Sequence, residues 1–273
     1  MSQNGTLAAL QLDTRDPEAS IAFYSTVLGM RLLRGPGLSN RQRPTNHSLG
    51  FAQGATLQLR HRPWLTSARY RTEETDSYWK IGITVPDVDL ARTRLVAHGV
   101  EVTEPTQFHE IGYLCHLEDP DGYTIELLQH RFADNQVPIP PQAQWALGSE
   151  PTLGQVSLNV SDIEASLAFF CDRIGMRLLS RQRVPGRGFT LYFLAATDEA
   201  LPEANVTSVS NREWLWQRPY TTLELRAFDS AHSFTAHPAE EAIGFRGLTL
   251  PGDEAGTLFD PDGVRIRLEG PEF

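Results

Sequence analysis

Residues Tyr113 to Gln129 read YLCHLEDPDGYTIELLQ, and Gly256 to Gly270 read GTLFDPDGVRIRLEG. Each is a strand, a tight Asp-Pro-Asp-Gly turn and a second strand. The second strand of the first copy carries a carboxylate, Glu126; that of the second copy carries a guanidinium, Arg267. A carboxylate can ligate a metal or move a proton, whereas a guanidinium has no lone pair to offer and keeps its protons. His116 precedes the first turn, on the strand beside that of Glu126, and can reach the same cavity; a histidine there also suits a strand edge satisfied by a backbone carbonyl. Its neighbour Cys115 alternates to the opposite face and reads as an inert buried thiol. The remaining histidines are scattered, and no P-loop, dinucleotide fingerprint or Ser-His-Asp elbow occurs.

The elements that must hold these residues come from a repeat. SIAFYSTVLGMRLL starts at Ser20 and SLAFFCDRIGMRLL at Ser166, with eight of fourteen positions identical. Each follows an alternating run, LAALQLDT or GQVSLNVS, that predicts a half-buried strand. Acidic or hydroxyl caps open the two helices, and Gly29 and Gly175 suit the left-handed position that closes them. Between the copies, WKIGITVPDVDLARTRLVAHGVEV predicts strand, helix, a glycine stop at Gly99 and a further strand. Each half then holds two β-α-β-β-β units, four in the chain. The fourth is truncated: FRGLTL runs almost directly into the closing hairpin, with no room for a helix. The third is enlarged by AATDEALPEANVTSVSNREWLWQRPY. The expected divisions are a first domain at 1–132, a Pro-rich linker at 133–150 and a degenerate second domain at 151–273.

SIAFYSTVLGM, IGITVPDVD, DPDGYTIEL and TTLELR resemble the vicinal oxygen chelate superfamily, which includes glyoxalases, bleomycin resistance proteins and extradiol dioxygenases, and most of all glyoxalase I. The resemblance covers nearly the whole chain outside the linker. It implies an α+β fold of four βαβββ modules whose paired, cupped mixed sheets surround a divalent metal (Zn, Ni, Co, Mn or Fe). Each module would offer one ligand near the start of its first strand and one in its last. Carried over, the first module supplies Ala9 and Gln58, the second Lys80 and Glu126, the third Gln155 and Glu224, the fourth Phe245 and Arg267.

Pairing decides what these positions can do. Neighbouring modules within each half would give two sites, each with one carboxylate beside a cation. Pairing first with fourth and second with third segregates the decay, and this arrangement is favoured. Ala9, Gln58, Phe245 and Arg267 then form a degenerate site, while Gln155, Glu224 and Glu126 are the metal ligands of the other, with Lys80 where a histidine is expected. Three roles are open to Lys80: a salt bridge filling a vacated site, an electrophile replacing the metal while Glu126 or Glu224 moves a proton, or a bystander to a weak ion. The basic contact for glutathione does not carry over, since Asp13, Asn159 and Phe228 stand where polar or basic contacts belong; Asn159 and Phe228 are candidate pocket residues. Three function classes follow: a glyoxalase-like lyase or isomerase acting on a small α-oxo or enolisable substrate, a metal-free small-molecule binder, and a pseudoenzyme. Ring cleavage is disfavoured, because the second half offers Gln155, Phe245 and Arg267 at its triad positions.

Composition narrows the partners. With 273 residues, 40% of them hydrophobic, the chain can bury a large core. A net charge of −10 argues against nucleic acid and anionic membranes. Two unpaired cysteines and the lack of a secretory signal or long apolar run predict a cytoplasmic protein, monomeric or homodimeric.

Overall fold

The structure is a computed structural model that describes residues 6–35, 44–65, 68–236 and 240–270. Among the described residues, fifteen strands form two curled mixed sheets. The first half contributes β1 (Ala9–Thr14), β2 (Arg31–Arg34), β3 (Thr45–Gly50), β4 (Thr56–His61), β5 (Tyr78–Val85), β6 (Thr106–Phe108), β7 (Gly112–Glu118) and β8 (Thr124–Gln129). From the second half come β9 (Thr152–Val160), β10 (Arg177–Val184), β11 (Phe189–Ala195), β12 (Thr222–Phe228), β13 (Phe245–Pro251), β14 (Gly256–Phe259) and β15 (Arg265–Glu269).

Strand order is β14-β15-β13-β1-β4-β3-β2 in one sheet and β10-β11-β12-β9-β5-β8-β7-β6 in the other. The first module therefore pairs with the fourth, through antiparallel β1 and β13, and the second with the third, through β5 and β9. We call these the outer and inner sheets.

Strand alternation explains why the sheets pack as they do. Leu10, Leu12, Leu57, Leu59, Ile81, Ile83, Val156, Leu158, Leu223, Leu225 and Ile266 point to one side and join a single core cluster shared by both sheets. The residues between them point into the two concave faces. Helices cover the core side. Asp16, Asp87 and Asp162 cap α1 (Pro17–Ala22), α2 (Val88–Ala97) and α3 (Ile163–Leu167) by accepting first-turn amide hydrogens. Helices α1 and α3 each continue into a wider π turn, with Leu28 N donating to Phe23 O and Ile174 N to Phe169 O, both at 3.1 Å. Gly29 and Gly175 then reverse the chain at φ 83° and 88°. The fourth module lacks a helix between β13 and β14, as its short sequence predicts. No helix of the described residues is long and apolar enough to cross a membrane.

The enlarged third module supplies a feature the repeat does not foreshadow. Part of the insertion folds as α4 (Ser210–Leu215), and Trp216 behind it packs edge-on against Phe193 at 5.1 Å while its indole N–H donates to Ile111 O at 3.0 Å. Arg212 also donates to Glu110 O, so α4 is pinned across the inner concavity.

Candidate active site in the inner sheet

A cavity of about 270 Å³ opens in the concave face of the inner sheet. Its floor carries Lys80, Glu126, Gln155 and Glu224, from β5, β8, β9 and β12, which are the four central strands of that sheet. Ring and aliphatic side chains make the walls, with Trp79, Phe189, Phe193, Trp216, Leu114 and Leu128 among them. The lining is apolar with a few convergent polar groups, the usual character of a small-molecule site.

Strand geometry brings the polar groups together. Parallel pairing sets Glu224 beside Ser157, and the antiparallel register sets Lys80 opposite the same serine and Gly82 opposite Gln155. A Cβ on Gly82 would lie 2.2 Å from Gln155 Cγ, so glycine makes room for the amide. An irregularity at Trp79 turns that ring and the next side chain, Lys80, into the same cavity.

Glu126 is the most heavily bonded group. Its Oε2 accepts from the Lys80 ammonium and faces His116 Nε2 at 3.1 Å, and its Oε1 accepts from Gln155 Nε2 at 2.8 Å. Gln155 Nε2 also lies 3.2 Å from Glu224 Oε2, which accepts a further bond from the Ser157 hydroxyl. Lys80 stands 4.1 Å from the Trp79 ring centroid and the Arg226 guanidinium 3.8 Å from it, so one indole carries two cations.

The two carboxyls titrate apart. Burial pushes Glu126 up, but the Lys80 charge and the His116 contact outweigh it and hold the group at about 2. Glu224 is pushed above its ordinary value, chiefly by burial and also by the Glu126 charge, against the pull of Lys80, Ser157 and Arg226. Burial lowers Arg226 to about 10, opposed by Glu224. Gln155 Oε1 is buried without a hydrogen-bond partner among the described residues.

The remaining expected positions are divided. His116 sits on the cavity wall. Asn159 does not line the cavity; it accepts from Arg226 Nε at 2.7 Å and donates to Asp76 O at 2.7 Å. Phe228 stacks on His232 at 4.4 Å and lies 4.7 Å from Arg226, outside the cavity floor. Cys115 is buried on the far face, its thiol pushed to about 12 by desolvation. In the outer sheet, Gln58 reaches the concave face, but Phe245 does not: it is buried in the core, stacked on Tyr78 at 5.1 Å. The register sets Gly247 opposite Gln11, as Lys80 is set opposite Ser157, so the fourth-module position matching Lys80 is Gly247. Ala9 is buried and takes no part in the outer recess. Ser157 and Arg226 were not singled out by sequence reasoning. The signal for Ser157 was its place two residues after Gln155 on an alternating strand.

A divalent ion is the group implied for this floor. Glu126, Glu224 and Gln155 are of ligand type, but the set does not fit one. The Lys80 ammonium binds the Glu126 oxygen an ion would need, and it adds positive charge without a lone pair. Among the described residues, no three His, Cys, Asp or Glu side chains gather in a way that could hold a metal.

Paired modules, cupped sheets and this floor define a class, and sequence comparison agrees. The description "Glyoxalase/Bleomycin resistance protein/Dioxygenase superfamily" matches residues 6–127 and 152–268, and the chain belongs to that superfamily. It is 28% identical to a lactoylglutathione lyase of Oryza sativa subsp. japonica, across 93% of this chain and 85% of the relative. It is 29% identical to a lactoylglutathione lyase of Arabidopsis thaliana, across 67% of this chain; that match spans 59% of the Arabidopsis protein, less than two thirds of its length. The crystal structure of glyoxalase I from Zea mays superposes with a TM-score of 0.67 at 20% identity, covering 96% of this chain and 91% of that one, a likeness of fold.

Proposed function

We propose that the inner cavity performs glyoxalase-like lyase or isomerase chemistry: proton transfer on a small α-oxo or otherwise enolisable compound that carries an apolar substituent. One observation carries this reading. Two buried carboxyls, bridged by Gln155, are shifted in opposite directions beside a buried ammonium. Carboxyl pairs held apart in this way divide the work of charge stabilisation and proton transfer.

Glu224 is the proton carrier. Its raised pKa brings it nearer to neutrality, where a carboxylate accepts a carbon-bound proton more readily and releases it more readily again. In a substrate with a hydroxyl on the carbon beside the carbonyl, that carbon gives its proton to Glu224 and the electron pair moves to the carbonyl oxygen; the hydroxyl proton then passes to that oxygen, and Glu224 returns its proton to the former carbonyl carbon. Lys80, held by Glu126, faces the oxygen that becomes negative, and Arg226 adds a second positive charge. Gln155 Oε1 can accept from a substrate hydroxyl. The aromatic walls and α4 exclude water, which strengthens each of these interactions.

The test is a screen of α-oxo aldehydes and their thiol adducts with wild type and Glu224→Gln. Wild type should turn over at least one of them, and the variant should lose about 10²- to 10⁴-fold in kcat while still binding substrate. The rate should rise with pH as Glu224 loses its proton, at a pH above the ordinary value for a glutamate. Full activity in Glu224→Gln would sink the assignment. Activity abolished by chelation and restored by Ni, Co, Zn, Mn or Fe would move the chemistry from Lys80 to an ion. The aromatic lining favours one second reading, sequestration of a planar molecule without turnover; tight binding with no conversion by wild type would select it.

A further inference from the structure

The concave face of the outer sheet differs from its inner counterpart in kind. Among the described residues it holds no second apolar cluster. Instead it has a recess of about 100 Å³ walled by Gln11, Gln58, Thr249, Thr257, Arg265 and Arg267. Arg265 and Arg267 alternate on β15, so both face the same side, and parallel pairing with β13 sets Thr249 beside Arg267.

Guanidinium groups gather on this face. Arg60 and Arg246 share one buried carboxylate, Asp13, each at 2.5 Å. Arg265 Nη2 donates to a neutral partner, Gln11 Oε1, at 3.0 Å. The ion pair of Arg267 is with Glu269 at 3.6 Å, and both side chains are largely exposed, 62% and 48%. Burial and then repulsion from Arg60, Arg246 and Arg267 lower Arg265, with Asp13 pulling weakly the other way. Arg62, which also senses Arg60 and Arg246, donates to Asn46 Oδ1 at 3.2 Å at the far end of the same face. In a chain of net charge −10, this is a local gathering of five guanidinium groups.

We propose that the recess binds an oxyanion: a phosphate or carboxylate group of a small molecule, held by Arg265 and Arg267 with hydroxyl and amide donors from Thr249, Thr257, Gln11 and Gln58. Guanidinium forks suit bidentate contact with such groups. The recess is the size of one phosphate or carboxylate group rather than a polymer's track, and the overall negative charge opposes polyanions. Replacing the carboxylate of the inner hairpin with Arg267 thus turns the repeated position from a holder of positive charge into a receiver of negative charge. This inference does not depend on the chemistry proposed for the inner cavity.

The test is calorimetric titration of the full chain with inorganic phosphate, and separately with acetate and succinate, at constant ionic strength set by chloride. Saturable binding of one ion per chain is expected, roughly tenfold weaker in Arg265→Gln and in Arg267→Gln. Arg183→Gln, which removes an exposed pair with Asp229 elsewhere, should bind as wild type. Saturation by phosphate alone assigns a phosphorylated ligand, and saturation by the carboxylates assigns a carboxylate. Arginine Nε–H resonances, followed in the same titrations, should move for Arg265 and Arg267. No saturable heat with any of the three anions, or equal binding by both arginine variants and wild type, would overturn the proposal.

Discussion

Lys80 decides the character of the inner floor. It is 5% exposed at its side chain and meets Glu126 at 5% exposure, so each charge depends on the other. Lys80→Met should cost about 3–5 kcal/mol, because it leaves Glu126 buried without its counter-charge. Lys80→His tests the metal question directly. A neutral imidazole beside Glu126, Glu224 and Gln155 completes an N/O donor set, and the variant should take up close to one divalent ion per chain where wild type takes up less. Elemental analysis after metal soaking measures this; equal metal content in both proteins would mean that Lys80 does not govern ion binding. Acid should also weaken the native state through Glu126. Its folded pKa lies below its unfolded value, so its stabilisation is intact above about 4.5 and disappears as pH falls toward about 2. The four floor residues were legible in the sequence because each occupies a repeat position. Arg226 was not: it stands two residues after Glu224 on an alternating strand, but a guanidinium there gains a place in the site only by lying across an indole.

The Asp-Pro-Asp-Gly turns show how far repetition carries at the level of an element. In the first, Asp119 Oδ1 accepts from the amides of Asp121 and Tyr123, and its Oδ2 accepts from the Tyr24 hydroxyl at 2.8 Å. In the second, Asp260 Oδ1 accepts from Asp262 and Val264, but Oδ2 is buried with no partner among the described residues. The helices approach the turns in the same way: Arg15 N donates to Asp121 Oδ1 at 3.2 Å and Ser161 N to Asp262 Oδ2 at 3.0 Å. Phe170 holds the repeat position of Tyr24. Phe170→Tyr should therefore bring a hydroxyl to Asp260 Oδ2 and stabilise the protein by about 1 kcal/mol near neutral pH. Asp260 is raised to about 6, first by burial, so its carboxylate form is costly above that pH, where the new donor helps most. Thermal unfolding of the two proteins measures this, and an unchanged or lower Tm would show that the two turns are not equivalent. The repeat made these hairpins, the caps and the missing helix readable in advance. It could not announce α4, because that helix lies in an insertion with no counterpart, and its aromatic residues acquire meaning only when folded over the cavity.

At the scale of the molecule, sequence halves and sheets do not coincide. Each sheet takes one module from either side of residues 133–150, and the central pairings β1 with β13 and β5 with β9 both cross from one half to the other. Sequence alone left that pairing open, since both arrangements bury the same alternating strands; it was the gathering of lost ligand positions into one site that favoured the arrangement observed. A consequence follows for folding. A fragment of residues 1–140 retains β1 and β5 but loses the partner strand on one side of each, exposing unpaired amide and carbonyl groups along two apolar strands. It also loses Gln155 and Glu224, half of the inner floor. The fragment should give no folded monomer by size exclusion and near-ultraviolet circular dichroism, and the complementary fragment 141–273 should behave likewise. Co-expression of the two should restore both sheets and, with them, the inner cavity and its ligand binding. A folded monomeric fragment would instead mean that each half carries enough core of its own, and that pairing across the halves arranges the site without being required for the fold.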